Sequence, residues 1–193
     1  MSKAEPFLIT VLPIDIDVDL LVSDCLQIVD RYKMDNQAKN LREAYSIVLT
    51  QNPDVEETHG NIVSYKDIHN TQYFDRYNQA ILQPAYDDTS LKALVMQLPF
   101  PFSIIRLSVL PPSTIIAMHT DAACHAQLAI TTNEDCFVAA RSGAMEHVAV
   151  DSKLYVFSTT LAHTAFNASN EDRVHLSISI FDHDYVKLLI SAG

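Results

Sequence analysis

From Phe102 onward the chain runs as short stretches of alternating apolar and polar residues, cut by turn residues. The stretches are "FSIIRLSVL", "STIIAMH", "HAQLAITT", "CFVAA", "HVAV", "KLYVFS", "HTAF" and "RVHLSISIF". The breaks fall at Pro111-Pro112, Asn133-Glu134-Asp135, Ser142-Gly143, Asp151-Ser152 and "NASNED". A period of two marks strands with two chemically different faces. Many short strands at this spacing fold as a sandwich or barrel. Residues 101–182 therefore read as a jelly-roll core.

Residues 1–100 have a different texture and read as a mainly helical support region after one strand, giving an α+β chain of one domain over residues 1–193. Asp17 and Asp19 are placed to cap a helix through "LLVSDCLQIVDRY", whose stripe is Leu20, Leu21, Val22, Leu26, Ile28 and Val29. "NQAKNLREAYSIVLTQ" is rich in helix formers up to Asn52-Pro53 and predicts a second helix. "NPDVEETHG" reads as a polar loop, "NIVSYK" as a short strand, and "TQYFDRYNQAILQ" and "TSLKALVMQL" as two more helices.

Composition narrows the function. A formal net charge of −11 argues against nucleic acid or an anionic membrane as partner. With Gly60, Gly143 and Gly193 the only glycines, there is no glycine-rich phosphate loop. Three irregularly spaced cysteines, Cys25, Cys124 and Cys136, do not form a disulfide framework and point to the cytoplasm. The apolar start of the chain is shorter than a signal peptide and no stretch approaches a membrane span.

The strands carry a second message. In "RVHLSISIF" one face holds Arg173, His175, Ser177 and Ser179, and the other Val174, Leu176, Ile178 and Ile180. In "IIRLSVL" Arg106 and Ser108 oppose Ile105, Leu107 and Val109; His125 and Gln127 share a face as well. If the apolar faces pack on the helices, the polar faces converge inside the sandwich. "MHTDAACH" then brings ionisable groups into that interior, where they need partners or a metal. His119 and Asp121, two apart on an extended chain, project the same way, and His163 is the candidate third ligand. Two histidines and one carboxylate are the facial set that leaves positions open on Fe(II). Arg173, ten residues past His163, is placed to come back beside it across adjacent strands through "NASNED" and to clamp a carboxylate.

The order His119-x-Asp121, His163, Arg173 resembles the Fe(II)/2-oxoglutarate-dependent oxygenases, and more narrowly the aspartyl/asparaginyl β-hydroxylase family. "RLSVLPPSTIIAMHTD" carries that family's strand-end serine and turn, and "HTAFNASNEDRVHLSI" its late His, Asn and Arg, over about residues 100–182. The resemblance implies a double-stranded β-helix of cupin-like form. It implies His119, Asp121 and His163 as iron ligands and as the catalytic centre, with Arg173, Ser108 and His125 holding 2-oxoglutarate and O2 as the other co-substrate. It further implies hydroxylation of an amino acid, a short peptide or an Asp/Asn-type protein side chain, with succinate and CO2 as co-products. The chain departs from the family pattern at Ala123, where the family has an arginine two residues before His125; Arg106 and Arg141 are the available replacements. A non-catalytic β-sandwich that binds a metal or a small acid stands as the alternative, and a zinc hydrolase as a third reading that leaves Arg173 without a role.

Overall fold

The computed structural model describes residues 6–35, 43–51, 62–64, 80–180 and 182–192. In chain order the elements are β1 (Leu8–Pro13), α1 (Val18–Asp35), β2 (Tyr45–Val48), β3 (Thr50–Gln51), β4 (Ile62–Ser64), β5 (Ile81–Leu82) and α2 (Ser90–Gln97). They continue with β6 (Phe102–Leu110), β7 (Thr114–Ile115), β8 (His125–Thr131), β9 (Cys136–Ala140), β10 (Met145–Glu146) and β11 (Lys153–Phe157). The last are β12 (His163–Asn167), β13 (Arg173–Ile180) and α3 (His183–Ala192). A seven-stranded sheet has the order β1-β11-β8-β13-β6-β2-β4, and a four-stranded sheet the order β10-β9-β12-β7. All pairings are antiparallel, and strands β3 and β5 pair apart from both sheets. This is the two-sheet jelly roll that the strand pattern predicts.

The larger sheet packs helices on one face and the smaller sheet on the other. Ile105, Leu107 and Val109 of β6, Ala126, Leu128 and Ile130 of β8, and Val174, Leu176, Ile178 and Ile180 of β13 share one core with the helices. Helix α1 presents Leu21, Cys25, Val29 and Tyr32 to that core, a spacing of four, four and three that keeps one side of a 3.6-residue helix inward. Leu20, assigned to the inward stripe from sequence, is 51% exposed. Asp17 Oδ1 accepts the Leu20 amide at 3.0 Å and caps the helix as expected. Asp24, on the next turn, accepts the Ser90 amide at 2.8 Å and its hydroxyl at 2.6 Å, which fastens the start of α2 to α1.

Several helical expectations are corrected. Tyr45–Val48, assigned to a second helix, is a strand buried along its whole length. It pairs with β6 through Tyr45–Val109, Ser46–Ser108, Ile47–Leu107 and Val48–Arg106. The helix formers that suggested otherwise lie before it, and burial of an aromatic and β-branched segment against the sheet overrides local propensity. Residues 81–82, placed in a third helix, form β5. So among the described residues before Phe102, strands accompany the helices, whereas "TSLKALVMQL" is helical as expected. The short strand in "NIVSYK" is present as β4. The polar loop "NPDVEETHG" and residues 36–42 and 71–79 lie outside the described residues. The strand expected in "HVAV" falls two residues earlier, as β10. Helix α3 had no counterpart in the sequence reading; Asp182 Oδ1 caps it by accepting the Asp184 and Tyr185 amides at 2.9 and 3.0 Å. No helix among the described residues is long and apolar enough to cross a membrane.

Candidate functional site

The face of the larger sheet turned from the helices is polar, and it lines a pocket closed on its other side by the smaller sheet. Directly paired residues lie on the same side of a sheet, so register alone builds this surface. Ser46, Ser108, His175 and Ala129 form one row across β2, β6, β13 and β8. Val48, Arg106, Ser177 and Gln127 form the next. His125 pairs with Ser179 in the row below. Arg106, Ser108, His125, Gln127, Arg173 and His175 all line one pocket together with His119, Asp121 and His163.

His119 and His163 face each other across an isolated antiparallel bridge, with reciprocal backbone hydrogen bonds of 2.9 and 2.8 Å. Asp121 lies in the turn that follows, not on a strand, and its amide is held by the Thr159 carbonyl at 2.9 Å. The Thr159 hydroxyl donates to the Ala123 carbonyl at 2.6 Å and fixes the far side of the same turn. Thr159 is a positioning residue that no sequence pattern marks.

Each histidine is oriented by its own chain. His119 Nδ1 lies 2.8 Å from the Ala117 carbonyl and His163 Nδ1 lies 3.0 Å from the Leu161 carbonyl. A carbonyl only accepts, so both Nδ1 atoms carry the proton, which makes the two Nε2 atoms the potential metal ligands. These Nε2 atoms sit 3.6 and 3.4 Å from the two Asp121 oxygens. One ligand atom from each of His119, Asp121 and His163 lies within 4.8 Å of the others, close enough to share one divalent cation. Phe7, buried in the core beside the site, has its ring centroid 6.3 Å from that of His163.

Protonation states favour a metal. Burial alone raises the Asp121 carboxyl, but His125, Arg106, His163 and His119 together outweigh it and leave it below the ordinary carboxylate range. Burial holds His163 below the usual histidine range against the opposing pull of Asp121. His125 is pushed down to about 3, chiefly by burial. A carboxylate and neutral imidazoles are the forms that ligate, with no proton to displace. The donor set fits Fe(II), and it fits Zn(II) as well.

The structure brings all six predicted site residues into one pocket, with two changes of detail. His163 and Arg173 are not on adjacent strands, because β12 belongs to the smaller sheet and β13 to the larger. They meet across the sandwich. His125, assigned to the co-substrate, directs Nδ1 to Asp121 Oδ2 at 3.2 Å. At the opposite end Arg173 donates to His175 Nδ1 at 2.9 Å. Because arginine only donates, His175 Nδ1 accepts there and the proton sits on Nε2; the Gln127 side-chain amide, 3.2 Å from the same Nδ1, must then present its NH2 group to it. His175 lines the pocket, and its Nε2 is buried with no hydrogen-bond partner. Ser108 Oγ lies 3.4 Å from Ser46 Oγ beside it. Arg141 is exposed, whereas Arg106 is 3% exposed and lines the pocket.

The family model described as "Aspartyl/Asparaginyl beta-hydroxylase" matches residues 35–183. No curated protein sequence matches the chain. Among solved structures, a prolyl-4-hydroxylase from Pseudomonas putida is similar over 89% of this chain and 90% of its own, at 16% identity and a TM-score of 0.44. AviO1 from Streptomyces viridochromogenes Tue57 is similar over 89% of this chain and 87% of its own, at 12% identity and a TM-score of 0.48. A cupin domain from Bordetella pertussis tohama I covers 45% of this chain and 88% of its own, at 16% identity and a TM-score of 0.37.

Proposed function

Because the chain belongs to the aspartyl/asparaginyl β-hydroxylase family, we propose that it is a dioxygenase using Fe(II) and 2-oxoglutarate to hydroxylate an amino acid, a short peptide or an Asp/Asn-type side chain. The observation that supports this most is the meeting of His119, Asp121 and His163 with Arg173 in one buried pocket. A zinc hydrolase has no use for a buried arginine facing its metal ligands across the sandwich.

His119 Nε2, His163 Nε2 and an Asp121 oxygen would hold the iron on one side, leaving the pocket side for co-substrate and O2. Iron in that position supplies oxygen activation coupled to conversion of 2-oxoglutarate to succinate and CO2, with a hydroxyl group delivered to the substrate. The protein's own contribution is orientation. Arg173, held by His175, would clamp the distal carboxylate of 2-oxoglutarate, with the His175 Nε2–H as a further donor; Ser108 lies in the same row as His175. His125 steadies the Asp121 carboxylate. Phe7 packs beside the His163 ring and makes its surroundings more apolar. The three cysteines are buried and form no disulfide among the described residues, which favours a cytoplasmic setting.

The test needs no substrate. Fe(II) and then 2-oxoglutarate are added to the apo-protein without oxygen, and the visible spectrum is recorded. A weak charge-transfer band that requires both additions and is lost in His163→Ala is expected. Metal uptake without any 2-oxoglutarate-dependent band overturns the reading. A band that no amino acid or peptide turns into succinate release leaves the non-catalytic binding protein in its place.

A further inference from the structure

We propose that Arg106 is a second carboxylate subsite of the pocket, on the side of His119, Asp121 and His163 and distinct from the Arg173 subsite. The proposal rests on the pocket being a 2-oxoglutarate site, and it adds a recognition element that this reading does not require. Arg106 pairs with Ser177 and Arg173 pairs with Leu110, so the two arginines are four residues apart in register on the same inner face. That is about 13 Å along the strands. Both are 3% exposed.

Arg173 is engaged by His175. Arg106 is different. Its Nε and Nη1 are buried without a hydrogen-bond partner, and no carboxylate among the described residues forms an ion pair with it. Arginine does not shed its proton to escape burial, so a guanidinium left without a hydrogen-bonded anion carries a desolvation cost that its longer-range attraction to Asp121 offsets in part and an incoming anion would offset further. The pocket is where that anion arrives, because Arg106 lines it. The two cations also serve different ends. The charge of Arg106 acts on Asp121, His125 and His163, and that of Arg173 on His175.

A planar fork of N–H donors selects a carboxylate over a neutral group. Two sources fit: the metal-side carboxylate of 2-oxoglutarate, or a carboxylate of the substrate, which would make the substrate an acidic or free amino acid.

The experiment separates them. Manganese(II)-loaded wild type, Arg106→Met and Arg106→Lys are titrated calorimetrically with 2-oxoglutarate. The methionine keeps the stem and loses the charge. A co-substrate carboxylate at Arg106 weakens binding roughly tenfold or more in Arg106→Met, with Arg106→Lys in between. A substrate carboxylate leaves that affinity unchanged. It shows instead as manganese-induced broadening of the carboxyl 13C resonance of acetate in the 2-oxoglutarate-loaded wild type, lost in Arg106→Met. Unchanged 2-oxoglutarate affinity with no Arg106-dependent acetate signal overturns the proposal. The melting temperature of the apo-protein gives a second check: Arg106→Met melts at or above wild type if Arg106 waits for an anion, and a lower value marks a structural arginine and overturns it. If wild type takes up manganese but no 2-oxoglutarate, the proposed function fails, and acetate broadening in the manganese protein still decides Arg106.

Discussion

His125 Nδ1 lies 3.2 Å from Asp121 Oδ2, and both side chains are almost fully buried. With His125 neutral, Nδ1 can take part in this contact only as an N–H donor, since a carboxylate only accepts, and the contact bears on the direction of the carboxylate. Outer partners of this kind matter to metal affinity. His125→Phe is expected to weaken manganese(II) binding by roughly 10- to 100-fold, measured by calorimetry. Unchanged affinity would reduce His125 to a wall of the pocket.

Arg173→Ala separates the two ends of the pocket. Metal affinity should stay at the wild-type value, because Arg173 is not one of the proposed ligands and its guanidinium is held by His175. Affinity for 2-oxoglutarate should fall by about 30-fold or more, the cost of leaving a buried carboxylate without its guanidinium. Parallel titrations with metal alone and with metal plus 2-oxoglutarate measure both.

The apo-protein should lose stability in mild acid. His125 has a pKa of about 3 in the fold against an ordinary 6.5, so between those values the unfolded chain binds a proton that the folded chain refuses. Stability therefore falls as pH falls below 6.5, with a slope approaching about 1.4 kcal/mol per pH unit from this group. His163 and His175, also depressed, act in the same direction. Asp121, held low, adds to the loss only below the usual carboxylate range. Urea unfolding at pH 7 and pH 5 reads the effect, and equal midpoint stabilities at the two pH values would contradict it.

Asn167 ties β12 to β13. Its Nδ2 lies 2.9, 3.2 and 2.7 Å from the carbonyls of Leu110, Pro111 and Glu171. Its Oδ1 accepts the Ser169 amide at 3.0 Å and the Ser169 hydroxyl at 2.7 Å. Asn167→Ala strips a buried turn of these partners and should cost about 2–4 kcal/mol, measured as a shift of the denaturant midpoint. A loss below that range would show that the turn holds by its backbone alone.

The site was more legible in the sequence than the support around it. His119, Asp121, His163 and Arg173 could be picked out because strand alternation places every second residue on one face, and a polar face on a buried strand has to be accounted for. The apolar stripes of β6, β8 and β13 announced the helix-facing core in the same way. Tyr45–Val48 was misread because its burial comes from β6, some sixty residues on, and helix-forming neighbours before it dominate the local pattern. The sheet membership of β12 and β13 was also hidden. A short connection predicts a hairpin, whereas here the chain crosses from one sheet to the other through a turn fastened by Asn167. Thr159 acts through a carbonyl and a turn, and neither leaves a mark in residue type.

The placement of Arg173 on a strand makes the pocket a ruler with coarse divisions. Slipping β13 by one residue would turn the arginine to the helix side and empty the clamp. Slipping it by two would return it to the interior about 7 Å nearer to or farther from the histidines. Acid length in such a barrel is thus read in whole pleats, and a relative adapted to a longer or shorter acid has to step by that interval or recruit its cation from another strand.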